Sequence, residues 1–89
     1  MKLRFKKLRH MPCIACGRNA HIEVHHLIGH GFSGMAMKAD DSLTIPLCSP
    51  CHHSLHHSGH ATWEELQGWD QEEMLEMVNK HLTYSTVTL

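Results

Sequence analysis

Polar and apolar residues alternate with period two along His21-Ile22-Glu23-Val24-His25, which predicts a short strand. Apolar continuity ends at Leu27-Ile28, after which Gly29, Gly31 and Gly34 punctuate a loop of roughly fifteen residues. Leu43-Thr44-Ile45-Pro46-Leu47 predicts a second short strand. Pro46 has no amide hydrogen to give to a ladder, so this strand belongs at an edge or ends near the proline. Ser49-Pro50 marks a helix start, with Ser49 as N-cap and Pro50 in the first helical position. That helix runs through Leu55 to about Ser58, and Gly59 stops it. Downstream, Thr62-x-x-Glu65 and Asp70-x-x-Glu73 each have the spacing of a capping box. The first opens a short helix ending near Gly68. The second opens a helix from about Gln71 to Leu82, with Met74, Leu75, Met77, Val78 and Leu82 toward the core. Thr83 to Leu89 fits a further strand or a frayed end. At the other terminus, Leu3 and Phe5 alternate with Lys2, Arg4 and Lys6. That pattern fits a short strand with one apolar face, and equally a solvated tail.

Composition sharpens this picture. Eighty-nine residues make one small domain, of a size that often needs a metal or disulfide staple. No apolar run approaches the ~20 residues of a membrane span, and the basic start has no apolar stretch behind it, so neither a membrane partner nor a secretory signal is expected. The net charge of −1 conceals an asymmetry. Residues 1–38 carry seven of the eight Lys/Arg and one acid, Glu23, whereas residues 61–89 carry six acids and one base, Lys80. A basic arm over residues 1–12, together with Arg18 and Lys38, is the candidate phosphate-binding surface: Lys2, Arg4, Lys6, Lys7, Arg9, Arg18 and Lys38. Trp63 and Trp69 are expected to pack in the core, not to stack on bases.

Cys13-x-x-Cys16 and Cys48-x-x-Cys51 are two knuckles separated by thirty-one residues. Each places two thiolates on one tetrahedral ion, and four thiolates close its shell, so the expected cofactor is a structural Zn2+. Two disulfides would need an oxidising compartment, for which the sequence gives no support, and a redox CxxC needs no second copy. A cytoplasmic location follows. Histidine is the compositional anomaly: eleven in all, nine of them between His21 and His60. His52 and His56 sit four apart on the short helix and project from one face, while His53 and His57 form a second pair rotated by about 100°. His25-His26 close the first strand and supply further ligands.

With these residues in view the chain resembles the HNH, or ββα-metal, nucleases. The likeness rests on a strand ending in His25-His26, a glycine-bearing loop, a second strand, and Leu47-Cys48-Ser49-Pro50-Cys51-His52-x-x-x-His56. More narrowly, His25-His26-Leu27-Ile28-Gly29-His30-Gly31, Gly34-Met35 and Leu43-Thr44-Ile45-Pro46-Leu47-Cys48 are similar to phage RecA-dependent nucleases of the Ref type. The resemblance spans about Cys13 to Trp69. It implies an α+β fold: a small zinc-stapled ββα-metal, treble-clef-like domain over residues 13–89, with its knuckle and ββα core in 13–60 and added helices in 61–89. It implies a DNA endonuclease in phage recombination, in a bacterial host's cytosol and directed by a RecA filament. His26 matches the general base and His25 a catalytic metal ligand. His52 and His56 match the helix ligands of a divalent cation, Mg2+ or Mn2+, with Zn2+ the remaining option. The family's middle Asn has no counterpart, since Asn occurs only at 19 and 79, so Ser42, Asp41 or Asp40 must cover its loop-pinning role. The alternative class is a zinc-stabilised module that binds DNA or protein without cutting, for which the four histidines would be superfluous.

Overall fold

The computed structural model describes residues 2–29 and 40–87, with the side chains of Lys2 and of residues 84–87 outside the description. His30, Gly31, Gly34, Met35 and Lys38, named above, lie outside the described residues. The order of elements is α1 (Lys2–Arg9), β1 (Ile22–His26), β2 (Thr44–Cys48), α2 (Ser49–Ser58), α3 (His60–Gln67) and α4 (Gln71–Val87). Among the described residues this is a small α+β arrangement of four helices around one two-stranded sheet. The strands pair antiparallel in the register Ile22↔Cys48, Val24↔Pro46 and His26↔Thr44. Both strands start and end one residue later than the alternation alone indicated.

The basic arm is a helix and not a strand or a tail. Its sequence, KLRFKKLR, has no glycine, proline or β-branched residue. Leu8 and Met11, three apart, are both buried, and Leu3 is 66% exposed instead of sharing a face with Phe5. The alternation at Leu3 and Phe5 was too short to distinguish the two periods. Arg4 lies one turn from Leu8 and is drawn inward with it. Its guanidinium donates to Thr44 Oγ1 at 2.8 Å, Thr44 O at 2.7 Å and Asn79 Oδ1 at 2.9 Å, which ties α1 to β2 and α4.

Cys48, with extended backbone, is the N-cap of α2, one residue before the expected Ser49. The Ser49 amide instead donates to His21 O at 2.9 Å. Gly59 both ends α2 and begins α3. Its N–H donates to Leu55 O at 2.9 Å, and its carbonyl accepts from Trp63 N at 3.0 Å. The second helix of this pair therefore starts at His60, ahead of Thr62, and that phase turns Trp63 into the core at 1% exposure. Gly68, in left-handed conformation, closes α3 as expected. The box at Asp70 is formed on both sides: Glu73 N donates to Asp70 Oδ1 at 2.8 Å, and Asp70 N to Glu73 Oε1 at 3.1 Å.

The helix opened by that box continues to Val87, so residues 83–87 of the expected strand or frayed end are helical instead, and residues 88–89 lie outside the described residues. Its buried stripe is Gln71, Met74 and Val78, with Leu82 packed at the margin. Met77 lies to one side of that stripe and is 50% exposed, contrary to the core role expected of it. Leu8, Leu27, Ile45, Leu47, Leu55, Trp63, Met74 and Val78 form the core between sheet and helices, and Trp69 packs at its edge.

Candidate metal centre

The four cysteines converge. Gly17, at φ +83°, lets the first knuckle turn, with Gly17 N donating to Cys13 O and Cys13 N to Arg18 O, both at 2.8 Å. Ile14 N donates to Pro46 O at 3.0 Å, which hangs the knuckle on the outer edge of β2. Cys48 ends that strand, and Cys51 follows in the first turn of α2. The four sulfurs all lie within 4.8 Å of one another. Cys16 Sγ and Cys48 Sγ are 3.6 Å apart, against the roughly 3.8 Å expected across a tetrahedral ion with Zn–S bonds of about 2.3 Å. The donor set and its spacing fit a structural metal ion. Without one, the thiols have divergent environments. An amide hydrogen bond from Arg18 pulls Cys16 down to about 7. Burial pushes Cys48 and Cys51 up. An ion at this point replaces protons on the buried pair.

The second group is formed by His25, His52 and His56, with ligand nitrogens also within 4.8 Å of one another. His25 comes from β1 and is fully buried, whereas His52 and His56 come from one face of α2. The rings meet edge to face, with centroids 4.9 Å apart for His25–His52 and 5.7 Å for His25–His56. His52 Nε2 and His56 Nε2 stand 3.1 Å apart, within the roughly 2.9–3.3 Å that two nitrogens span on one ion at bonds of about 2.0–2.1 Å. Glu23 Oε1 accepts from His52 Nδ1 at 2.6 Å, so Nε2 keeps its lone pair for the centre of the group. Burial pushes His25 down to about 4, against the opposing effect of its hydrogen bond to Gln71, so the ring is neutral at neutral pH. Three imidazoles leave coordination positions open, which four thiolates do not.

His26, the next residue on the strand, points to the other face. Its ring meets Phe5 of α1 edge-on at 5.9 Å, and its Nε2 lies 2.8 Å from Asp41 Oδ1. Of Asp40, Asp41 and Ser42, Asp40 Oδ1 accepts from Ser42 N and Oγ at 2.9 and 2.8 Å. Asp41 pairs through its carboxylate with His26 and accepts from Thr44 Oγ1 at its backbone carbonyl.

The basic residues do not share one fate. Lys6, Arg9 and Arg18 are exposed and Lys7 is half-buried. Arg4, expected on the phosphate-binding surface, is committed to Thr44 and Asn79. His53 and His57 are exposed and parallel, 6.1 Å apart, outside the group of three. His60 lies against Gly29.

Three residues beside the centre, Glu23, Gln71 and Glu64, have no role assigned from sequence alone. Glu23 was legible, because it is two residues before His25 and so shares its face of the strand. For Gln71, Glu64 and the Asp41–His26 pairing no local spacing carried a signal. No helix among the described residues is long and apolar enough to cross a membrane.

Comparison with known proteins adds relationship without activity. A family model described as "Protein of unknown function (DUF968)" matches residues 3–85. The chain is 38% identical over 71 residues to "Uncharacterized protein YdfU" of Escherichia coli (strain K12), an alignment covering 80% of this chain and 20% of that protein. The chain thus spans about one fifth of the relative's length. No solved structure matches. With nearly its whole length matched by that family model, both cysteine knuckles and all three clustered histidines included, this chain belongs to the DUF968 family.

Proposed function

We propose that the chain is a metal-dependent DNA endonuclease of the HNH, or ββα-metal, type that hydrolyses phosphodiester bonds in phage-related recombination under the direction of a RecA filament. The observation that carries the reading is the convergence of His25, His52 and His56 from a strand end and one helix face, beside a separate four-cysteine site. Four thiolates close their own shell, so the three imidazoles form a second donor set that the cysteine site does not need. The succession β1, β2, α2, with ligands at the end of one strand and along the helix, supports the same class.

A divalent cation held by the three imidazoles would polarise the scissile phosphate and steady the departing oxygen. Asp41, as a carboxylate, accepts the hydrogen on His26 Nε2, leaving the Nδ1 lone pair to take a proton from the attacking water. Glu23 holds the His52 ring in register. Lys6, Arg9 and Arg18, exposed, supply sequence-independent phosphate contacts. The acidic α4 belongs on the side away from DNA.

The test is plasmid nicking with Mg2+ or Mn2+, with and without RecA and a paired oligonucleotide. His26→Ala is expected to lower the rate roughly 10²–10⁴-fold while the cysteine site keeps its zinc. Unchanged nicking by His26→Ala removes the assignment of the base. Binding without cleavage under every metal and RecA condition replaces the nuclease reading with a non-catalytic zinc-stabilised binding module.

A further inference from the structure

Gln71 is fully buried at the first turn of α4, and every hydrogen-bonding position of its amide is taken. Its Nε2 donates to Ile28 O and to Glu64 Oε2, each at 2.8 Å. Its Oε1 accepts from Ile28 N at 3.1 Å and lies 3.0 Å from His25 Nε2. The backbone of Ile28 removes any ambiguity about which end of the amide is which. Its N–H can only donate and its carbonyl can only accept, so exchanging oxygen and nitrogen at Gln71 would set donor against donor and acceptor against acceptor. Glu64 strengthens this choice by accepting from both the side-chain and the backbone nitrogen of Gln71, the latter at 3.2 Å. An oxygen fixed opposite His25 Nε2 requires a hydrogen on that nitrogen.

We infer that Gln71, oriented by Glu64, is the positioning residue that locks His25 in the Nε2–H tautomer and makes Nδ1 its donor to a divalent cation. This rests on the metal-binding role proposed for His25, and it adds α3 and α4 to the elements that build the centre. Left to itself a neutral imidazole exchanges its proton between the two nitrogens. A tautomer with hydrogen on Nδ1 would present N–H, and not a lone pair, toward His52 and His56. The Gln71 amide removes that option while it clasps both polar groups of Ile28, so ring orientation and backbone position at the end of β1 are set together. His52 is treated in parallel, with Glu23 holding the hydrogen on Nδ1. The two rings therefore present different nitrogens to the same point, one held by an amide and the other by a carboxylate.

The experiment uses the full chain with zinc retained at the cysteines. Long-range 1H–15N correlation spectra of the imidazoles report the tautomer directly, and Co2+ titration followed by visible absorbance reports affinity at the three histidines. Wild type is expected to show His25 protonated on Nε2. Gln71→Met, close in volume but unable to accept, is expected to lose the tautomer preference and weaken Co2+ binding roughly 10–100-fold. Glu64→Leu, which takes away the acceptor that orients Gln71, is expected to shift tautomer and affinity in the same direction, and an unchanged folded Glu64→Leu protein removes Glu64 from the inference. A wild-type spectrum with the hydrogen on Nδ1 overturns the inference, and so does folded Gln71→Met with unchanged tautomer and affinity. If Gln71→Met fails to fold, the wild-type tautomer alone decides. Plasmid nicking is measured separately: a locked tautomer and Co2+ binding without nicking leave this inference standing and remove the nuclease reading.

Discussion

Gly29→Ala tests how the end of β1 is held, and its cost divides into two parts. Gly29 has φ +76°, a left-handed conformation in which an L-residue loses about 1–2 kcal/mol. A Cβ built there falls 2.3 Å from His60 Nε2 and 2.5 Å from both Cδ2 and Cε1, inside the space of the imidazole. The ring must swing away, forfeiting packing at the start of α3. Displacing one half-buried side chain adds on the order of 1 kcal/mol. The expected loss is about 2–3 kcal/mol, which for a domain of this size lowers the melting temperature by roughly 10–20 °C. A double-mutant cycle in urea, with zinc saturating, separates the parts. Gly29→Ala/His60→Ala should recover the steric share and keep the backbone share, giving a favourable coupling of about 1 kcal/mol. A Gly29→Ala protein as stable as wild type would refute the left-handed turn. Strict additivity of the two substitutions would refute the packing of His60 on Gly29.

Zinc affinity should rise with pH through the neutral range. Burial keeps Cys48 and Cys51 protonated in the metal-free protein, binding must expel those protons, and acid therefore competes with the ion. Competition against a chelator at several pH values measures this, and complete removal of the ion should abolish the cooperative melting transition. Arg4→Ala should behave unlike the other basic substitutions. Loss of its contacts to Thr44 and Asn79 should cost about 1–3 kcal/mol of stability, read by urea denaturation. Arg9→Glu and Arg18→Glu should leave stability within about 0.5 kcal/mol and instead weaken DNA binding and flatten its salt dependence.

Local spacing carried most of what the sequence revealed. The CxxC pairs, the His52/His56 pair, the Asp70 box and the stops at Gly59 and Gly68 depend on residues within four positions of one another, and each is in place. The first helix was illegible because Leu3 and Phe5 alone satisfy two periods, and Leu8 with Met11 decides between them only once a core exists. Arg4 reads as a charge on a basic arm; its partners, forty and seventy-five positions away, make it a tie between elements. Gln71 and His25 are forty-six positions apart and meet only because α4 folds back over the strand end. Met77 shares its helix with buried methionine and valine but falls off their stripe, a difference of rotation that composition does not encode.

Gly59 is the whole connection between α2 and α3, with its amide spent on one helix and its carbonyl on the next. Such a joint has no slack. One added residue would turn everything after it by about 100° and advance it by about 1.5 Å. Trp63 would leave the core, and Gln71 would no longer reach His25. The face of α2 that carries His52 and His56 and the helices that carry Glu64 and Gln71 are thus phased to each other by a single glycine, and chain length at this point matters to the histidine cluster as much as its side chains do.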